Sequence, residues 1–327
     1  MNKLPLVSIV TATLNAEKHL QTFFRSLARQ DYPKDKIEIV MADGGSTDKT
    51  IEIAEKYGVK IIDNPHVLAE PGIYTAMKNA KGDIFVIMAM DNFFVQKDAI
   101  RNLVKILSDD KIYSVFPKHI SEKNDSLWTK YFNVFTDPFN HYLYGKAANA
   151  RTFNKIYKTI EHNEKYDIYD YTSYPVKPLI ALAQGFSVKK EYIKRRGDKF
   201  DDMISIIELI NQRKKIAYAH SIHLHHKTVV NLGHFIKKIR WATRNAISKK
   251  NYGIWERRIN LTNWQKLKII IFPLYVASII IPLFRALFGL LEDREPMWLF
   301  HPFITTVALI IMIYEAINVK LAIIKNK

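Results

Sequence analysis

The sequence predicts a doubly wound α/β domain, followed by a basic amphipathic helix and a two-helix transmembrane hairpin. Three observations predict it. Short apolar runs alternate with helical patterns about every 25–30 residues in the first part of the chain, the signature of a mostly parallel sheet. From His234 to Lys268 there are ten Lys or Arg against one acid, Glu256. Two apolar segments, 269–291 and 297–319, close the chain, each about the 20 residues that a bilayer-spanning helix needs. The boundaries fall at 1–228 for the α/β domain, 229–266 for the basic region and 267–327 for the apolar region.

The elements follow in order. Leu6 to Thr13 reads as a buried strand, Leu14 to Glu17 as its turn, and His19 to Gln30 as a helix with Leu20, Phe23, Phe24 and Leu27 on one face. Asp31-Tyr32-Pro33 breaks that helix. Ile37 to Met41 is a second strand, with the turn Ala42-Asp43-Gly44-Gly45-Ser46-Thr47-Asp48 and a helix from Lys49 to Tyr57 behind it. Two glycines let the backbone turn sharply, and Ser46, Thr47 and Asp48 offer helix N-caps. Lys60 to Ile62 is a third strand. Glu70-Pro71-Gly72 reads as a turn before a short helix, Ile73 to Ala80. Ile84 to Met88 is a strongly apolar strand that ends at Ala89-Met90-Asp91-Asn92. Ala99 to Leu107 is a helix. Residues 124–174, rich in Tyr, Phe, Asn and His, read as loops and short helices over the sheet. Met203 to Gln212 is a helix, and Ile216 to Ala219 a strand with His223, His225 and His226 beyond it.

Net charge is +17. Such a basic balance suits nucleic acid or an anionic membrane. The apolar segments that follow the basic stripe favour lipid headgroups over nucleic acid. Lys266 and Lys268 precede the first segment, Lys320, Lys325 and Lys327 close the second, and the connection Glu292-Asp293-Arg294-Glu295-Pro296 is net acidic. By the positive-inside rule both chain ends and the α/β domain lie in the cytoplasm, on a multi-pass protein of the cell membrane. Met1 to Pro5 runs straight into a strand, with no signal peptide in view. Cysteine is absent, which excludes disulfides and thiolate metal sites.

Asp43 and Asp91 end two separate strands, and in open α/β sheets the carboxyl ends of the strands line the ligand crevice. That arrangement suits a nucleotide at Asp43 and a divalent cation, Mg²⁺ or Mn²⁺, at Asp91. Each residue read alone also fits a turn or helix cap.

Four blocks in this order resemble family-2 glycosyltransferases of the GT-A fold over roughly residues 5–230. They are Val7 to Glu17, Ala42 to Asp48, Glu70-Pro71-Gly72-Ile73-Tyr74-Thr75-Ala76-Met77, and Gly82-Asp83. The resemblance implies an inverting transferase that takes a nucleotide-diphosphate sugar. It implies that Asp43 accepts from the base and that Thr11, Ala12, Thr13, Glu17 and Gly44 line the nucleotide pocket. The family's Asp-x-Asp metal triplet corresponds to Ala89-Met90-Asp91, so its first acid is lost and Asp91 is the ligand. A histidine beyond the last strand reaches the metal or pyrophosphate in the family, and His226 is preferred among three candidates. An acidic pair ahead of a helix corresponds to Asp201 and Asp202, with Asp202 matching the base that deprotonates the acceptor hydroxyl. A plain N-cap is the other reading of Asp202.

Leu232, Phe235, Ile236, Ile239 and Ile247 share one helical face within 229–250, as an interfacial helix would. Arg240 on that helix is a candidate for the donor diphosphate, since guanidinium forks match phosphate oxygens. A lipid-linked saccharide is the preferred acceptor. A polyprenyl phosphate is the alternative, as is a non-catalytic membrane scaffold on a degenerate transferase domain.

Overall fold

The computed structural model describes residues 4–149, 151–178, 185–192, 202–248 and 261–325. They fall into two units, Met1–Ile120 with Tyr157–His226, and Ser121–Ile156 with Lys227–Lys327.

The first unit is built on one ten-stranded sheet. Its strands are β1 (Val7–Thr13), β2 (Ile37–Asp43), β3 (Lys60–Asp63), β4 (Ile84–Ile87), β5 (Asn92–Phe94), β6 (Ile112–Ile120), β7 (Lys158–His162), β8 (Asp167–Asp170), β9 (Ser187–Lys189) and β10 (Lys215–His226). They lie in the order β3-β2-β1-β4-β9-β6-β10-β8-β7, with β5 also beside β10. Strand β1 pairs in parallel with β2 on one side and β4 on the other, and β2 pairs in parallel with β3. β9 runs antiparallel between β4 and β6. The apolar runs follow from this placement: β1 and β4 are covered on both faces, and a strand so covered has no need to alternate.

The helices of this unit are α1 (Glu17–Ala28), α2 (Thr50–Lys56), α3 (Ala69–Asn79), α4 (Ala99–Leu107) and, later in the chain, Asp202–Asn211. Leu20, Phe23, Phe24 and Leu27 of α1 are buried as the pattern predicts, against Val7, Ile9 and Met41 of the sheet within a single core cluster.

Three expectations change here. Glu70-Pro71-Gly72, read as a turn, forms the first turn of α3. Proline is tolerated there because its missing N–H would have no partner in a first turn. Ser46 and Thr47 do not cap α2; Asp48 Oδ1 accepts from the N–H of Thr50, the first residue of that helix, at 3.0 Å, and the N-cap position is Lys49 without a side-chain bond of its own. The strand expected to end at Ala219 continues through His223, His225 and His226, which lie in the second half of β10.

The second unit is helical: α5 (Leu127–Phe135), α6 (Pro138–Tyr144), Leu232–Ser248 (α8, taking Asp202–Asn211 as α7), α9 (Asn263–Ala277), α10 (Ile280–Asp293) and α11 (His301–Lys325). Residues 121–156 thus belong with the C-terminal helices and only 157–174 with the sheet. The core holds Tyr131, Phe132 and Phe135 of α5, Phe235 and Ile239 of α8, Trp298, and Ile304, Ala308 and Ile311 of α11. Phe235 and Ile239, on the α8 face expected against lipid, are therefore covered by protein, while Leu232 on that face stays exposed.

Only α11 is long and apolar enough by itself to cross a membrane, among the described residues. The first apolar segment, expected as one straight span, is the pair α9 and α10, bent by 98°. Pro282 explains the break. In a continuous helix its ring would meet the carbonyl of Ser278, and it has no N–H to give to that carbonyl. The chain turns at Ile279, whose φ is 54°.

Candidate active site

The carboxyl ends of β1 and β2 are tied into one turn. Asp43, at the end of β2, accepts from the backbone N–H of Gly45 and Ser46 at 2.8 Å each through one oxygen. Its other oxygen accepts the Ser46 hydroxyl at 2.5 Å. The loop can close this tightly because Gly45 takes a φ of 90°, a conformation side chains disfavour. Ser46 Oγ in turn accepts from Asn15 N at 2.8 Å, and Asn15 Oδ1 accepts from Thr47 N at 2.8 Å. Thr50 Oγ1 accepts from Ala16 N, and Asp48 from Glu17 N. The Ser-Thr-Asp triplet thus bridges to the β1 turn, and Asp48 also accepts from Thr50 N at the start of its own helix. Burial works to raise the Asp48 carboxyl, but bonds from Thr50 and Glu17 outweigh it and hold the group below the usual range.

Thr11, Ala12, Thr13, Glu17, Asp43 and Gly44 are consequently neighbours. Thr13 and Asp43 are paired in register, and Gly44 N donates to Thr13 O at 2.9 Å. The floor beside them is tight. A Cβ on Gly72 of α3 would stand 2.6 Å from both Ala12 Cβ and Asn64 Nδ2.

Asp91 follows β4 and immediately precedes β5. Strand β5 pairs antiparallel with the end of β10, so Asn92 lies opposite His226. That pairing brings the His226 Nε2 within 3.4 Å of Asp91 Oδ2. The His119 ring, from β6, lies 6.2 Å from the His226 ring. Sequence reasoning did not single out His119. Its signal is only that β6 pairs in parallel with β10, which the sequence does not announce. An imidazole nitrogen and a carboxylate oxygen this close are a donor set that Mn²⁺ or Mg²⁺ accepts, Mn²⁺ more readily.

A second group of donors was also missed. One atom each of His162, Asp167 and His220 lie within 4.8 Å of one another. His220 precedes His226 by six residues on β10, roughly 20 Å along a regular strand, so this is not the Asp91 pair.

Of the predicted base pair, Asp201 lies outside the described residues, and for Asp202 only the backbone is described, as the first residue of α7. Arg240 belongs to the helical unit, where its Nε donates to Glu315 Oε2 at 2.7 Å and its guanidinium lies over the Tyr314 ring.

A mostly parallel α/β sheet with a laced acidic turn at β1 and β2 and an acid after β4 is the GT-A architecture. The chain belongs to glycosyl transferase family 2, whose model matches residues 8–171. It is 31% identical over 108 residues to the poly(ribitol-phosphate) beta-N-acetylglucosaminyltransferase TarS of Staphylococcus aureus, covering 31% of this chain and 19% of that protein. It is 31% identical over 111 residues to a Methanococcus voltae enzyme, a dolichyl N-acetyl-alpha-D-glucosaminyl phosphate 3-beta-D-2,3-diacetamido-2,3-dideoxy-beta-D-glucuronosyltransferase. That match covers 30% of this chain and 33% of the relative. The chain therefore spans a third or less of these two relatives. Among solved structures, the mannosyltransferase PcManGT of Pyrobaculum calidifontis, in complex with GDP-Man and Mn²⁺, superposes with a TM-score of 0.53. The superposition covers 96% of this chain and 88% of that one at 17% identity.

Proposed function

We propose that the chain is an inverting glycosyltransferase that moves a sugar from a nucleotide-diphosphate donor to a lipid-linked acceptor at the cytoplasmic face of a membrane. The observation that carries this reading is the pairing of two features at one end of the sheet. One is the Asp43 turn; the other is the Asp91–His226 contact of 3.4 Å.

Each residue has a task in this reading. The remaining lone pairs of Asp43 accept from the base, and Thr11 to Thr13, Glu17 and Gly44 wall the nucleoside. Asp91 and His226 hold the divalent cation, which when bound offsets charge on the leaving diphosphate. Asp202 removes the proton of the attacking hydroxyl, with Asp201 beside it. A single displacement with a carboxylate base inverts the anomeric centre. Arg240 is engaged by Glu315 and is not part of the geometry on which the reading rests. The lipid-linked acceptor is supported by the dolichyl phosphate in the name of the Methanococcus relative and by the exposed apolar faces of α9 to α11.

The test is a thermal-shift screen of UDP, GDP and other nucleoside diphosphates with and without Mn²⁺. A Mn²⁺-dependent stabilisation by one of them supports the reading. Stabilisation by none points instead to a scaffold on a degenerate transferase domain.

A further inference from the structure

Both ends of the first apolar segment are held by one short stretch of the helical unit. At its start, Gln265 Nε2 donates to Leu143 O at 3.4 Å and Lys268 Nζ to Tyr142 O at 3.1 Å. At its finish, Lys146 pairs with Glu292 at 2.6 Å and with Asp293 at 3.1 Å. Tyr142, Leu143 and Lys146 lie within five consecutive residues, 142–146. A segment that enters and leaves beside the same short stretch of chain has not crossed anything. The legs α9 and α10 have 15 and 14 residues. Each is about 21–23 Å long, so a V bent by 98° reaches less than the roughly 30 Å of a hydrocarbon core.

The second segment cannot cross either without taking charges with it. Glu315 is fully buried and is bound by Arg240 and Arg244 of α8. It stands 14 residues beyond His301, roughly 21 Å along a helix. A perpendicular α11 would carry these arginines and the exposed Lys237 and Lys238 into the bilayer interior, where such side chains are rare and costly. Yet the other face of α11 is apolar and open: Phe303, Ile310, Ile313, Ile317 and Ile324 are each 48–69% exposed. One covered stripe, one open apolar stripe and flanking cations are the pattern of a helix lying in an interface. Trp264 and Lys266, both exposed at the start of α9, suit the headgroup level.

We propose that the helical unit is seated in one leaflet of an anionic bilayer, with α9 and α10 dipping in as a V and α11 lying along the surface, so that neither apolar segment crosses. This replaces the multi-pass hairpin expected from sequence. It rests on the membrane attachment in the proposed function and on nothing about catalysis.

The chain has no cysteine, so single cysteines report location cleanly. Asn124→Cys and Pro296→Cys, both at exposed positions, are made in the full chain. Each is bound from outside to preformed vesicles of equal parts phosphatidylglycerol and phosphatidylcholine. A membrane-impermeant maleimide is then added before and after the vesicles are opened with detergent. A seat in one leaflet gives equal labelling of the two cysteines before opening. Labelling of Pro296→Cys only after opening, with Asn124→Cys labelled before, overturns the proposal. So does failure of the chain to sediment with vesicles, or equal binding to vesicles of phosphatidylcholine alone. Should Pro296→Cys not fold, Leu299→Cys, 63% exposed in the same connection, reads the same side. Transfer activity enters none of these readouts, so a failure here is distinct from a failure of the transferase reading.

Discussion

His226 Nε2 lies 3.4 Å from the carboxylate of Asp91, although 135 residues separate the two in the chain. The contact follows from strand pairing: β5 starts one residue after Asp91 and its first residue is in register with His226. Both side chains keep some exposure, 22% for Asp91 and 15% for His226, so a ligand can reach them.

Asp91→Asn and His226→Ala should therefore leave the fold intact and weaken Mn²⁺ binding. Loss of a supporting contact alone costs metal sites about 10–100-fold, and loss of a ligand costs at least that. Titration calorimetry with Mn²⁺ and the stabilising nucleoside diphosphate checks this. Unchanged affinity in both variants would remove the pair from the site.

Gly72→Ala separates two opposed effects. In a helix interior, alanine gains about 0.5–1 kcal/mol over glycine. Here the new methyl would stand 2.6 Å from Ala12 Cβ and from Asn64 Nδ2, one on β1 and the other just past β3. Overpacking of that kind costs about 1–3 kcal/mol, so the clash wins. The variant should melt lower and bind nucleotide more weakly, because Ala12 is among the residues that wall the nucleoside. A melting point at or above wild type would show that the site yields.

Much of this was legible beforehand. The apolar runs of β1, β2 and β4 and the face of α1 gave the sheet and its ligand end, because strands covered on both faces carry a strong local signal. The second half of the sheet did not announce itself. β6 contains Pro117 and two basic or imidazole side chains, Lys118 and His119, and proline argues against a strand. β10 carries four histidines, so its strand is expected to end at Ala219 until β5, β6 and β8 supply its partners. Asp91 and His226 are each expected near the metal by resemblance, but the cause of their contact, β5 pairing with β10, was not visible. The apolar tail was read by length and hydropathy alone. Those properties do not say that Pro282 folds one segment back, or that Glu315 has two arginines beside it.

Glu315→Gln tests that last cluster. The carboxylate is fully buried, while the side chains of Arg240 and Arg244 are 41% and 58% exposed. The arginines can turn to water when the charge is lost, so the full penalty of an orphaned buried ion does not apply. Three charge-assisted bonds, one from Arg240 and two from Arg244, are weakened, and about 1–3 kcal/mol of stability should go with them. Glu315→Ala should lose more, by leaving a void between α8 and α11. Denaturant melts in detergent would measure both, and a Glu315→Gln variant as stable as wild type would make the cluster dispensable.

The helical unit should also be acid-labile, and the sign can be worked out. His141 of α6 is buried, with ring centroids 4.8 Å from Phe135 and 5.1 Å from Trp298. Its Nδ1 has no hydrogen-bond partner among the described residues. Burial first, and then the nearby His301, Arg285 and Lys268, hold its pKa well below the ordinary imidazole value. A histidine so depressed binds fewer protons folded than unfolded, so its contribution is complete above the unfolded value of about 6.5 and is lost as pH falls below it. One proton gives a slope of at most about 1.4 kcal/mol per pH unit. His141→Phe keeps the edge-to-face packing and removes the titration. Its melting point should fall less than that of wild type between about pH 7 and pH 5. Parallel curves for the two proteins over that interval would assign the acid sensitivity elsewhere.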